Sequence, residues 1–270
     1  MWVKLESRFD HFYIRTIDEK PFINIDKTMP TILISGAANG LGQAFLAAYQ
    51  NRPEVNIIAI DRSPITTSHP NVTSFAVDVS CEKSINDLAQ KIKDVPIELA
   101  IHSAGIRGLV PTLEVEHPEN VAACETLEGM TFATLTTAFQ VNAAGTFMLL
   151  RALLPNLKAA GDKAKVIVMS SRMGSVGNNE RGKRAAGAAY AYRASKAAMN
   201  TMVRSFAVDV PEVTFVLCHP GRVETKLVKG KEEGAISADE SVADMLPLIE
   251  KWSQVDSGKY YDRFGEVIEW

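Results

Sequence analysis

Six short β-rich runs recur along the middle of the chain, and stretches with helical periodicity lie between them. The runs are TILIS (31–35), VNIIAI (55–60), VTSFAV (72–77), IELAIHS (97–103), KVIVMS (165–170) and VTFVLCH (213–219). Strands this apolar must be covered on both faces, which helical crossovers between parallel strands achieve. The helical stretches are residues 42–51, 84–93, 131–158, 190–210 and 237–252. Thr131 and Ser237 stand where N-caps belong, and acids follow Ser237 in the first turn. The C-terminal GKYYDRFGEVIEW reads as a further strand or a hairpin. The expected fold is α/β: one doubly wound parallel sheet of about seven strands with helices on both faces. It fills residues 30–270, and residues 1–29 form an N-terminal extension outside this rhythm.

Composition narrows the function classes. No apolar run approaches the roughly 20 residues of a membrane-spanning helix. The net charge of −3 gives no polybasic surface for nucleic acid. Cys81, Cys124 and Cys218 are scattered singly, which fits a reducing compartment. The first twenty residues mix acids, bases and aromatics with no secretory apolar core, so a cytoplasmic location is expected. No two histidines have ligand spacing on a helix, and no metal site is expected.

The first run leads into SGAANGLGQAF. Strand, glycines and helix in that order suit a dinucleotide. Residues without a side chain let a pyrophosphate approach the backbone, and the helix N-terminus offers it N–H groups. Gly36, Gly40 and Gly42 are spaced Gly-x-x-x-Gly-x-Gly, unlike the common dinucleotide fingerprint. Asp61 ends the second run about twenty residues later, placed to accept hydrogen bonds from an adenosine ribose. It predicts NAD(H) over NADP(H), while the neighbouring Arg62 keeps NADP(H) as the alternative. After the third run, Asp78 and Val79 are candidates to flank the adenine.

YAYRASK opens the fourth helical stretch. Tyr192 and Lys196 are four apart and share a helix face, whereas Tyr190 is six from the lysine and does not. Taken alone, such a pair is usually a packed tyrosine beside a solvated lysine. Context favours chemistry: an ammonium one turn away pulls a phenol's pKa of about 10 down toward neutrality, as proton transfer requires.

SGAANGLG, HSAG (102–105), VNAAG (141–145), MSSRMG (169–174), YRASK (192–196) and HPGRVET (219–225) occur together in this order. In these motifs the chain resembles the short-chain dehydrogenase/reductase family, and within it the C-factor and sniffer-type carbonyl reductases. The resemblance runs from about Pro30 to the C-terminus. It implies a Rossmann-type fold and hydride exchange between a nicotinamide cofactor and a carbonyl or alcohol substrate. It implies that Ser171 orients the substrate, Tyr192 gives and takes the proton, Lys196 holds the nicotinamide ribose and lowers the tyrosine pKa, and Asn142 anchors a relay water. Cofactor contacts are expected at Gly36, Asn39, Gly40, Leu41, Gly42, Asp61, Asp78, Val79, Ser103, Ala104, Gly105, Tyr192, Lys196, Pro220, Gly221, Val223 and Thr225. The expected assembly is a homodimer or homotetramer.

Two departures stand out. His102-Ser103 replaces the family's Asn-Asn, and Ser171 and Tyr192 are 21 positions apart, wider than usual. The extra residues form a polar, glycine-rich surface loop beside the site, expected to tune substrate choice. The segment after Thr225, KLVKGKEEGA, is expected to cover the substrate. A second function class is a cofactor-binding sensor or signalling protein with little turnover. The complete serine, tyrosine and lysine set argues against it, since sensing needs no proton transfer.

Overall fold

The computed structural model describes residues 25–183, 186–230 and 233–270. The N-terminal extension therefore lies almost wholly outside the described residues. The seven strands are β1 (Thr31–Ser35), β2 (Asn56–Asp61), β3 (Val72–Ala76), β4 (Leu99–His102), β5 (Lys165–Met169), β6 (Thr214–His219) and β7 (Tyr260–Asp262). All neighbouring strands pair in parallel, in the order β3-β2-β1-β4-β5-β6-β7. The C-terminal segment is thus a parallel strand on β6, with a single antiparallel return bridge from Tyr261 to Val267.

The helices are α1 (Gly40–Gln50), α2 (Glu82–Lys91), α3 (Pro111–Glu116), α4 (Phe132–Phe139), α5 (Gly145–Ala159), α6 (Tyr190–Asp209) and α7 (Ala238–Lys251). Alternate strand residues feed two cores. Leu33, Ile58, Val166 and Phe215 pack with α2, α5 and α6, whereas Ile34, Ile57, Ile167 and Val216 pack with α1 and α7. This two-sided burial is the reason the strands read as near-continuous apolar runs. The caps form as the sequence predicts: Thr131 Oγ1 accepts from Thr134 N at 3.1 Å and Ser237 Oγ accepts from Glu240 N at 3.0 Å.

The structure refines one helix. Residues 132–159 are helical throughout, as expected for 131–158, but a π turn over Gln140–Ala144 shifts the hydrogen-bond register between α4 and α5. A π turn inserts a residue into the helical register and commonly sits at functional positions. Here it carries Asn142, whose carboxamide turns out of the helix to pair with Ile106: Ile106 N donates to Oδ1 and Nδ2 donates to Ile106 O, both at 2.8 Å. Hydrophobic periodicity does not register such an insertion. The stretch between β4 and α4 also holds α3 and a 3-10 turn over Val121–Glu125, neither of which its sequence signals.

No described helix is long and apolar enough to cross a membrane.

Candidate active site

A cleft of about 1030 Å³ opens at the C-terminal ends of the strands. This is where the order reverses between β1 and β4, the place where open α/β sheets bind ligands. The glycine turn forms one wall. Gly36 and Gly40 have φ of +71° and +53°, a conformation that only glycine adopts without strain. A Cβ on Gly36 would lie 2.9 Å from Ala104 N, and one on Gly40 would lie 2.9 Å from Thr225 Cγ2. The turn is therefore pressed against the segment after β4 and the segment after β6. Asn39 precedes α1 in an extended conformation, no side chain caps the helix, and its first turn holds no acid. Its N–H groups and positive dipole end remain suited to an anion.

Asp61 sits at the end of β2 and is held there. Its Oδ2 accepts from Ala38 N in the glycine turn at 3.1 Å, and its Oδ1 accepts from Ser63 N at 2.8 Å. Asp78 is fixed by Ser80, whose N and Oγ both donate to Oδ1. These bonds hold the Asp78 carboxyl below its ordinary range, and attraction from Arg62 adds to the effect. The dipole-bearing turn, a ribose-height carboxylate and the Asp78–Val79 edge fit an adenine dinucleotide. Near the far end of the cleft, His219 Nδ1 is buried with no hydrogen-bond partner among the described residues, an orphan that a bound polar group would satisfy.

Tyr192, Lys196 and Ser171 line the same cleft. Tyr192 is 7% exposed, whereas its rival Tyr190 is 39% exposed. The Lys196 ammonium lies 5.9 Å from the Tyr192 ring centre and donates to Met169 O at 2.8 Å. Burial lowers its pKa to about 8, so it is charged at neutral pH and loses charge as pH rises through that value. Ser171 caps the short turn after β5, its Oγ accepting from Met173 N at 3.2 Å. Behind it, Tyr260 of β7 donates to Ser171 O.

Most residues expected to contact cofactor line the cleft: Gly36, Asn39, Gly40, Leu41, Asp61, Asp78, Val79, Ser103, Ala104, Gly105, Pro220, Gly221, Val223 and Thr225. Two expected residues stand behind its wall. Gly42 packs under the turn, where a Cβ would lie 2.1 Å from Gly36 O. Asn142 is fully buried and also bonds Ser195 Oγ at 3.0 Å. The loop between Ser171 and Tyr192 borders the cleft through Asn178, Lys183 and residues 186–188. It ends with Ala188 and Ala189 at φ of +46° and +50°, two strained residues directly before α6. The segment after Thr225 borders the cleft through Lys226, Leu227, Glu233 and Gly234, and its Lys229 pairs with Glu114 of α3 at 3.5 Å.

The departure at His102 forms a continuous chain of hydrogen bonds. Thr146 Oγ1 donates to Asn142 O at 2.7 Å, so the contact at 2.8 Å between Thr146 Oγ1 and His102 Nε2 takes its proton from the ring. Nδ1 then accepts from Ser35 Oγ at 2.7 Å, and Ser35 Oγ accepts from Ser103 N and Ala104 N. One neutral imidazole thereby ties the cofactor wall to the π turn. Burial lowers its pKa to about 3, and the Lys196 charge pushes the same way. Because the unfolded imidazole titrates near 6.5, this group's stabilisation is complete above that pH and is lost as pH falls toward 3. Urea unfolding should therefore show stability declining more steeply with acid in the wild type than in His102→Asn, which keeps a donor and an acceptor without titrating. Parallel curves would remove His102 from the acid response.

Sequence reasoning missed Arg107 and Glu125. Both line the cleft, and they form a two-bond pair: Arg107 Nε and Nη2 donate to Glu125 Oε2 and Oε1, each at 2.8 Å. The only sequence signal was a basic residue two positions after HSAG.

The fold and site define a dinucleotide-binding α/β protein with a serine, a tyrosine and a lysine gathered at one end of the cleft. Residues 30–235 match the short chain dehydrogenase family, and the chain belongs to that family. It is 34% identical to the C-signal protein of Myxococcus xanthus over 65% of this chain and 93% of that one. It is 26% identical to 1-hydroxy-2-glutathionyl-2-methyl-3-butene dehydrogenase of Rhodococcus sp. strain AD45, over 90% of this chain and all of the relative. The NADPH-bound carbonyl reductase from chicken fatty liver superposes with a TM-score of 0.74 at 25% identity, covering 90% of this chain and 99% of that one. The protein is thus a short-chain oxidoreductase that exchanges a hydride between a nicotinamide cofactor and a carbonyl or alcohol group.

Proposed function

We propose that Tyr192 is the proton donor and acceptor of a reversible carbonyl–alcohol interconversion, with Ser171 orienting the reacting oxygen. The supporting observation is the buried Tyr192 beside the Lys196 ammonium, in the cleft that the glycine turn also borders. A bound nicotinamide dinucleotide supplies or accepts the hydride. Gly36, Asn39, Gly40 and Leu41 would hold its pyrophosphate, and Asp61 its adenosine ribose. Lys196 would hold its second ribose, with Thr225 toward the carboxamide.

In oxidation the Tyr192 phenolate takes the alcohol proton, and in reduction the phenol gives it to the developing alkoxide. Ser171 donates a hydrogen bond to that oxygen. Lys196 favours the phenolate by its charge. Asn142 acts from behind the wall, fixing the Ile106 backbone and the Ser195 hydroxyl. The decisive experiment screens ketones, aldehydes and alcohols by absorbance of the reduced cofactor. Cofactor binding with no turnover on any of them would favour the second reading, a signalling protein, to which the C-signal similarity lends support.

NAD(H) is the preferred cofactor in this reading. Asp61 is clamped by two backbone N–H groups, so its carboxylate cannot retreat from a 2′-phosphate. The exposed Arg62 already shares its field with Asp78. Against this stands the chicken enzyme, solved with NADPH. A charge-assisted hydrogen bond worth roughly 1.5–3 kcal/mol converts to about 10- to 100-fold in affinity. Asp61→Ala should shift the NADH:NADPH preference by about that much toward NADPH in a fluorescence titration. Tighter NADPH than NADH binding by the wild type would overturn the assignment.

The catalytic domain we propose spans residues 30–270. A cytoplasmic location suits its unpaired cysteines. A homodimer or homotetramer is the assembly we favour, because Phe132, Leu135 and Phe139 leave an apolar stripe exposed on α4; light scattering reads this directly.

A further inference from the structure

The Arg107 guanidinium lies over the Tyr192 ring, 4.8 Å from its centre, nearer than the Lys196 ammonium at 5.9 Å. Both distances fall within the range where a cation and an aromatic face attract. Arg107 is not a mobile surface residue. Its side chain is 11% exposed, Glu125 holds it through two parallel bonds, and its Nη1 reaches Met173 Sδ at 3.3 Å. Glu125 is itself only 7% exposed, and its backbone O accepts from Ala189 N just before α6. The pair therefore fastens the turn after α3 to the start of the catalytic helix.

We propose that Arg107 is a second cationic partner of Tyr192, a positioning residue that favours the phenolate through the ring face, with Glu125 setting how much of that charge Tyr192 feels. A phenolate ring is far richer in electrons than a phenol ring, so a cation above it binds the ionised form better. Glu125, bonded to the same guanidinium, opposes this with its negative charge. Together they trim the tyrosine between two extremes, one with an uncompensated guanidinium and one with an uncompensated carboxylate. Among the described residues, Lys196 of its own helix also faces the Tyr192 ring and Tyr260 of β7 interacts with it electrostatically, while Arg193 stands in the field of both Arg107 and Glu125. Arg172, whose charge acts on Tyr260, pairs with Asp262 at 3.0 Å. The inference rests on Tyr192 being the proton-transfer residue, but its primary test does not need turnover.

The test is a titration of the cofactor-free chain labelled with 13C at the tyrosine Cζ, with the Tyr192 resonance assigned by its loss in Tyr192→Phe. Four proteins are compared: wild type, Arg107→Met, Glu125→Gln and the double Arg107→Met/Glu125→Leu. Arg107→Met should raise the Tyr192 pKa by about one unit, and Glu125→Gln should lower it by about one. The double variant should fall between wild type and Arg107→Met. It leaves no buried charge unpaired, so it decides the matter if a single variant does not fold. A purely structural ion pair predicts no such order, and Tyr192 values that agree within about 0.2 unit across the folded variants would overturn the proposal. The pH at which alcohol oxidation gains half its rate should move in the same order. If the resonances shift in order but no protein turns over a carbonyl or alcohol, the proposed function fails and this inference stands. If the proteins turn over substrate but the resonances do not shift, the inference fails and the proposed function stands.

Discussion

Tyr192→Phe should lose roughly 10³-fold or more of its turnover while binding cofactor within a few-fold of wild type. The first figure follows from removing a positioned acid–base group, which commonly contributes 10²–10⁴-fold. The second follows from what remains. The phenyl ring still fills a site that is 7% exposed, Lys196 still donates to Met169 O, and Arg107 still faces the ring. Tyr190 offers no substitute, being two positions earlier and 39% exposed. Steady-state rates with the best substrate from the screen, beside a cofactor titration, make the comparison. Near-normal rates would mean that the proton travels by another group. A matching loss of cofactor affinity would mean that Tyr192 is mainly part of the binding wall.

The sheet and the grouping of the candidate site residues were legible in the sequence for different reasons. Strands buried on both faces leave a dense apolar signature, and β1, β2 and β4–β6 carry it in Ile, Val and Leu. Tyr192 and Lys196 were legible because four residues on a helix is a fixed geometry. The glycine turn was legible because Gly36 and Gly40 need a left-handed backbone that few other residues tolerate. Features that depend on which distant segment arrives nearby were not. Arg107 and Glu125 are eighteen residues apart with no helical or strand relation, and only the 3-10 turn brings them together. The π turn hid inside an unbroken apolar pattern, because the residue it inserts changes a hydrogen-bond register and not a composition. His102 shows the same limit from the other side. Its identity announced a departure from the family, but the Ser35 and Thr146 hydroxyls that satisfy it lie 67 and 44 positions away.

Gly42→Ala is the substitution for which local propensity and packing give opposite answers. Gly42 lies inside α1 with an ordinary helical backbone, where alanine is favoured by about 1 kcal/mol. Yet a Cβ there would sit 2.1 Å from Gly36 O, 2.5 Å from Gly36 C and 2.8 Å from Ser103 Oγ. The first two are backbone atoms of the turn, so no rotamer change relieves them. The third belongs to a hydroxyl that donates to Ser35 O at 2.6 Å, so moving it breaks the tie between β1 and the segment after β4. Either α1 slides away from the strand or the turn opens, and both displace the N–H groups proposed to meet the pyrophosphate. Overpacking of this kind costs about 1–3 kcal/mol, which exceeds the propensity gain. The expected result is a lower thermal midpoint and a loss of at least about 100-fold in cofactor affinity. Gly177→Ala is the control. Its Cβ would also meet atoms at 2.7 Å, but they belong to the exposed Glu269 side chain, which can swing into solvent. That variant should bind cofactor like wild type. Wild-type affinity in Gly42→Ala would show that the turn yields without cost, and that its tight fit against α1 has no part in holding the dinucleotide.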